Sequence, residues 1–404
     1  MNFCHKKIAL LGNSNNNFFS LVRYLHDEGY DADLFVCNNE LHHFSPSCDT
    51  YSLDFMNYTY KLPFGNLYWF LNEIEKIKND PIIEQIKQYD IIFANGPSMA
   101  YLEFLGIKVD FFVPYGMDLV DYPFFVSSAN PNHRQHLDAF SALQRQSIMR
   151  SSYILSTEDI LGIKEYKDSI IKLESISKVI TFRTFPYIYE KIYRKNTIVN
   201  FFNCSYWYRD FLKFKEESQF IIFHHARHTW KSSKGQLSDK GNDKVFKALA
   251  FLLKEIKKLN PKILTFEYGD DYLDTKKLTY ELGIEKYVQW LPLMNRKDIM
   301  VGLYCADIAT GQFNVGCMGG GVQTEALVTS TPLVHYINEN KYNLAELYSF
   351  IQARDAFEIA DSFANYLANP KKYQKMAEEA NKWLQEEMYQ AIYKICDLIE
   401  EVKK

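Results

Sequence analysis

Three clusters of residues in this 404-residue chain have the types and spacing for chemistry on a phosphorylated ligand. The first is His224-His-Ala-Arg-His-Thr-Trp230, which runs on through Lys231 and Lys234 to Lys240-Gly241-Asn242-Asp243. Arginine offers a planar fork to phosphate oxygens, lysine a point charge, and a helix start a partial positive charge. Arg227 and Lys240 therefore read as a diphosphate clamp, against the plainer alternative of a solvated basic loop. The second cluster is Gly316-Cys-Met-Gly-Gly-Gly-Val-Gln-Thr-Glu-Ala-Leu327, in which Gly319, Gly320 and Gly321 precede a short helix carrying Glu325. Glycines let a backbone approach a ligand, and a helix N-terminus favours phosphate. A carboxylate one turn inside can accept hydrogen bonds from sugar hydroxyls. The third is Gly12-Asn13-Ser-Asn-Asn16, a turn between a strand and a helix, with Gly12 and Asn13 as candidate donor contacts. It lacks the full G-x-G-x-x-G spacing, and an ordinary polar turn would read the same.

Other chemistries lack support. His224, His225 and His228 stand close together without an acidic or cysteine ligand at metal-binding spacing, and Asp270-Asp271 reads as a polar turn, so neither metal nor cofactor is expected. The seven cysteines, Cys4, Cys37, Cys48, Cys204, Cys305, Cys317 and Cys396, include no C-x-x-C pair and read as free thiols in a reducing compartment. A net charge of −4 gives no strong field to recruit nucleic acid or an anionic membrane. No apolar run approaches the roughly 20 residues that span a bilayer, and no signal peptide is visible. The expectation is a cytoplasmic protein, with peripheral contact to the inner membrane face left open.

The elements that must position these clusters alternate strand and helix. Ile8–Leu11, Asp31–Val36, Asp90–Ala94, Val109–Val113, Tyr153–Ser156 and Lys178–Phe182 are apolar strand runs, separated by helical stretches such as 67–79 and 134–150. The rhythm lapses over 186–219 and restarts with strands at Phe220–Phe223, Lys262–Phe266, Tyr287–Leu291, Asp307–Ala309 and Pro332–Val334. A helix from Asn242 carries the stripe Val245, Ala248, Leu249, Leu252, Leu253 and Ile256. Alternation of this kind implies parallel sheets in two α/β domains: 1–185, a connection 186–219, a second domain 220–370, and a helical tail 371–404. In the tail, Leu384, Met388, Ala391, Ile395, Leu398 and Val402 form a seam that suits packing on the chain's own surface, a dimerising helix being the alternative. All three clusters follow strands, where parallel sheets bind ligands, and a cleft between two such domains is the expected place for one.

Residues 220–335 resemble the GT-B glycosyltransferases, especially family 4 and its relatives; the first domain resembles them less closely. Ala226-Arg227 and Lys240-Gly241-Asn242-Asp243 match that family's Gly-Arg-like step and Lys-Gly before a helix, which implies that Arg227 and Lys240 contact the donor diphosphate and stabilise the leaving group. Trp290-Leu-Pro-Leu and Cys305-Ala-Asp-Ile308 match the steps that follow, which implies that Trp290 and Leu291 flank the nucleobase. Glu325 matches the second Glu of the family's pair and would hold the ribose hydroxyls. Where the first Glu of that pair belongs, eight residues earlier, this chain has Cys317, with Gly311-Gln312 ahead of the glycines. Val113-Pro-Tyr-Gly-Met-Asp-Leu119 resembles a Gly-x-Asp step near the acceptor, which would set Gly116 at the donor and Asp118 at the cleft as a catalytic group; a helix cap is the other reading of Asp118.

The resemblance implies two facing Rossmann-like domains. It also implies retaining, metal-independent transfer from a nucleotide-sugar donor to a glycan or lipid-linked acceptor, in capsule, lipooligosaccharide or other surface-glycan assembly. The rival expectations are a nucleotide-sugar epimerase of the same fold and a non-catalytic sugar-nucleotide or glycan-binding subunit.

Overall fold

Short apolar runs without polar alternation form strands buried on both faces, and here they do so in two separate parallel sheets. The computed structural model describes residues 6–125 and 131–402. Cys4 lies outside the described residues; among the described residues Cys37, Cys48, Cys204, Cys305, Cys317 and Cys396 are not joined in disulfides. The chain divides into two units, one of residues 1–189 with 387–404 and one of residues 190–386.

The first unit holds β1 (Lys7–Leu11), β2 (Asp31–Val36), β3 (Thr59–Lys61), β4 (Ile91–Ala94), β5 (Phe111–Phe112), β6 (Tyr153–Thr157) and β7 (Val179–Phe182). They hydrogen-bond in the order β3-β2-β1-β4-β5-β6-β7, with Leu10 opposite both Leu34 and Phe93. Successive side chains of a strand point to opposite faces. Ile8 and Leu10 accordingly join Phe18, Leu21, Val22 and Leu25 of α1 (Asn17–Asp27). Ala9 and Leu11 join Leu137, Phe140 and Ile148 of α2 (Pro131–Arg150) on the other face.

The second unit begins with short turns and α3 (Tyr208–Glu217), so the segment from Glu190 onward packs within this unit. Phe211 meets Phe223 with ring centroids 6.1 Å apart, and Ser205 Oγ bonds Asp298 Oδ1 at 2.6 Å. Its strands are β8 (Phe220–His224), β9 (Pro261–Phe266), β10 (Val288–Leu291), β11 (Ile308–Thr310), β12 (Leu333–His335) and β13 (Ile351–Gln352), ordered β10-β9-β8-β11-β12-β13. Between them lie α4 (Asn242–Glu255), α5 (Tyr272–Glu281), α6 (Arg296–Cys305) and α7 (Gly321–Val328), and α8 (Ala356–Ala368) follows β13.

The tail is one helix, α9 (Pro370–Glu401), and its seam residues Leu384, Met388, Ala391, Ile395 and Leu398 are buried. Its first half belongs to the second unit, where Asn381 Nδ2 donates to the carbonyls of Leu327 and Val328 at 2.9 and 3.0 Å. Its second half belongs to the first, where Ala391, Ile395, Leu398 and Ile399 join the cluster of Ile8 and Leu10. Among the described residues no helix is long and apolar enough to cross a membrane.

Candidate functional site

In the second unit the strand order reverses between β8 and β11, and a crevice at such a point is where open parallel sheets take ligands. Arg227 follows β8, and Gln312 follows β11. Lys240, just before α4, turns its ammonium to Gln312 Oε1 at 3.0 Å. Burial, and next the charge of Arg227, push the Lys240 ammonium below its ordinary pKa. The two cations are thus close enough to repel, and among the described residues neither is in a salt bridge. Asn242 braces the loop, its amide taking the Thr229 N–H at 3.1 Å and donating to His224 Nε2 at 2.9 Å.

The three histidines of this loop are structural or positioning groups. His224 bonds Thr310 Oγ1 at 2.7 Å, and His228 lies between the hydroxyls of Thr265 and Thr275 at 3.0 and 3.2 Å. Burial holds His224 well below its ordinary pKa and takes His228 down to about 4, so both are neutral. Asp271 receives the N–H groups of Trp230, Lys231 and Ser232, which fits a polar turn. Burial works against its charge, but those bonds outweigh it and hold the carboxyl below its ordinary value. Among the described residues no group of three His, Cys, Asp or Glu gathers to hold a metal ion.

The glycine turn leads into α7. A Cβ on Gly320 would stand 2.6 Å from Gln323 Oε1, so only glycine lets that side chain lie there. Glu325 is buried, with Oε2 at 2.9 Å from His225 Nε2 and Oε1 at 3.0 Å from Arg296 Nε. Burial opposes its charge; the bond from His225 and the charge of Arg296 prevail, and the carboxyl sits below its ordinary range. Arg296 was not among the residues anticipated above. Its signal is position: it opens α6 just beyond the carboxyl end of β10. Trp290 stacks on Phe246 at 6.3 Å with the Lys276 ammonium 5.1 Å from its ring centroid, and Leu291 is buried.

In the first unit, Gly12, Asn13 and Asp118 have local partners. The Asn13 N–H donates to Glu40 Oε1 at 2.6 Å, so an internal carboxyl takes the place expected for a ligand anion. Burial pushes that carboxyl up to about 7. The Asn13 side chain is spent on Asn16, Phe44 and Phe19, and a Cβ on Gly12 would strike Asn95 Oδ1 at 2.3 Å. Asp118 is buried and accepts from the N–H groups of Gly116, Tyr115 and Gly96 at 2.8, 2.9 and 2.9 Å. Burial outweighs those bonds and raises its pKa. The capping alternative therefore describes Asp118, extended to a second loop, and leaves it no exposed oxygen for an acceptor's proton.

A cavity of about 400 Å³ lies at the other strand ends of the second unit, lined by Tyr304, Thr331, Gln374 and Asn381 among others. Its amides already bond main-chain carbonyls, Gln374 that of Ser330 and Asn381 those of Leu327 and Val328.

No protein-family model matches the sequence, and no curated protein matches it. Solved structures do share its architecture. HepE of Anabaena, in complex with UDP and glucose, superposes with a TM-score of 0.61 at 14% identity, over 98% of this chain and 100% of that one. WaaG, a glycosyltransferase involved in lipopolysaccharide biosynthesis, gives 0.57 at 13% identity, over 97% and 99%. The UDP-GlcNAc 2-epimerase of Neisseria meningitidis, bound to UDP-GlcNAc, gives 0.54 at 14%, over 98% and 99%. Identities this low speak to architecture alone, and the architecture is that of the GT-B fold: two Rossmann-like parallel-sheet domains with a helical C-terminal region.

Proposed function

We propose that the protein is a glycosyltransferase that moves a sugar from a nucleotide-sugar donor to a glycan or lipid-linked acceptor. The observation that carries this reading is the pair of cations at the switch point of the second sheet, Arg227 after β8 and Lys240 before α4, neither in a salt bridge among the described residues. As the glycosidic bond breaks, its electron pair goes to the diphosphate oxygen, and preorganised cations stabilise that charge as a metal would. HepE has been solved with UDP-glucose, which supports a nucleotide-sugar as the ligand class. In this reading Glu325, steadied by His225 and Arg296, accepts from the ribose hydroxyls, while Trp290 and Leu291 flank the base. Transfer is metal-independent and retains configuration, and it serves bacterial surface-glycan assembly.

Epimerisation is the second reading, because an epimerase shares the fold to a similar degree. Incubating the dialysed protein with UDP- and GDP-sugars, with and without oligosaccharide or lipid-linked acceptors and in EDTA, separates the two. Acceptor-dependent product that survives EDTA is the expected result. An epimer formed from donor alone would replace transferase with epimerase, and a requirement for a divalent ion would end the metal-independent mechanism.

A further inference from the structure

Gln323 is left unused by the diphosphate reading. Its side chain is 1% exposed, and neither its oxygen nor its nitrogen has a hydrogen-bond partner among the described residues. Buried polar atoms are ordinarily paired, and an unpaired amide in a ligand crevice is poised for a group that arrives with the ligand. Its position is specific. Gln323 Oε1 and Gln312 Nε2 lie 2.6 and 3.3 Å from one point, the place a Cβ on Gly320 would occupy. Gln312 Oε1 in turn accepts from the Lys240 ammonium. Two carboxamides therefore flank the glycine turn, one residue away from the cation pair.

Charge limits what they can meet. The nearby carboxylates are engaged: Asp239 accepts from the N–H groups of Gly235 and Gly241, and Glu325 from His225 and Arg296. Arg227 and Lys240 match the two negative charges of a substituted diphosphate, and Gln312 and Gln323 add no charge of their own. A carboxamide offers N–H donors and an acceptor oxygen side by side, the complement of hydroxyl groups that both donate and accept. We propose that Gln323, together with Gln312, reads the hydroxyls of an uncharged sugar on the nucleotide diphosphate. This rests on the transferase reading above and adds its sugar-selecting residue.

Calorimetry tests it on the full chain, with wild type and Gln323→Leu. The ligands are UDP, UDP-glucose, UDP-galactose, UDP-N-acetylglucosamine and UDP-glucuronate, with GDP and GDP-mannose alongside. Leucine keeps the approximate volume and removes both orphaned atoms. Wild type should bind one uncharged nucleotide-sugar more tightly than its free diphosphate, and should bind UDP-glucuronate more weakly than UDP-glucose. The variant should bind the free diphosphate as wild type does and lose the sugar-dependent gain, by about ten-fold. Its unliganded melting temperature should rise, because replacing unpaired buried polar atoms by apolar ones is stabilising. A variant that keeps the full sugar-dependent gain overturns the proposal, as does a wild type that gains nothing from any sugar. A wild type that binds no nucleoside diphosphate overturns the transferase reading itself.

Discussion

Burial and the charge of Arg227 disfavour the Lys240 ammonium, and a bound diphosphate offsets that cost. Substituting either by alanine should lower transfer about 10²–10³-fold, the scale for one preorganised donor at a developing anion. Rates on variants with matched circular dichroism check this; wild-type rates in both would place the diphosphate elsewhere. Glu325 stands between two donors, so Glu325→Gln has a double effect. It should weaken UDP binding about ten-fold while affecting a 2′,3′-dideoxy analogue less, which a calorimetric double-difference cycle reads. It also leaves the mostly buried Arg296 side chain beside a neutral amide, a change that costs about 3 kcal/mol when a buried pair is broken. Equal losses with both nucleotides would remove Glu325 from the ribose. The cations were legible in the sequence because their types and their place after a strand suffice to suggest the role. The partners of Asn13 and the second-loop contact of Asp118 were not, because Glu40 and Gly96 come from loops after other strands, and only the fold brings them together.

At the scale of elements, strands with continuous apolar runs were readable, and β2 coincides with its anticipated span from Asp31 to Val36. The edge strands β3 and β13 were not, since Thr59–Lys61 and Ile351–Gln352 are short and carry little apolar pattern of their own. β5 keeps only Phe111 and Phe112 of the expected run. The seam of α9 was legible from its spacing, but which surfaces receive it is a matter of topology. Its outer half closes the first unit, so Ile395→Ala, at a fully buried site, should cost about 2–5 kcal/mol there. Four of the five tryptophans, Trp207, Trp230, Trp290 and Trp383, lie in the second unit. The urea midpoint seen by far-ultraviolet circular dichroism should therefore fall more than the midpoint seen by tryptophan fluorescence. Equal shifts would mean that the two units unfold as one.

Across the whole molecule the two units respond to acid in different ways. Burial depresses His224, His228 and His335 in the second unit, His228 to about 4 and His335 to about 3. A histidine lowered on folding contributes stability that is present above its unfolded pKa, near 6.5, and is lost as pH falls toward its folded value, because only the unfolded chain takes the proton. Each contributes a slope of about 1.4 kcal/mol per pH unit in that window. Depressed Glu325 adds a loss of the same sign at lower pH, once the medium passes below the ordinary carboxyl range. In the first unit burial raises Asp33, Glu40, Asp110 and Asp118, Glu40 to about 7, so acidification there first relieves a cost. Between pH 6.5 and 4 the tryptophan signal should report unfolding before the circular dichroism is lost. Coincident acid transitions would contradict this division.

The path of α9 also sets an order of events during synthesis. Residues 387–402 cover the face of Ile8, Leu10, Phe18 and Val22, which leaves the ribosome before the second unit and receives this cover after it. The whole of the second unit is translated in between, an interval on the order of ten seconds or more at ordinary elongation rates. The second unit can therefore complete most of its core while the older half of the nascent chain still exposes an apolar sheet face, and that face is what a nascent-chain chaperone has to shield.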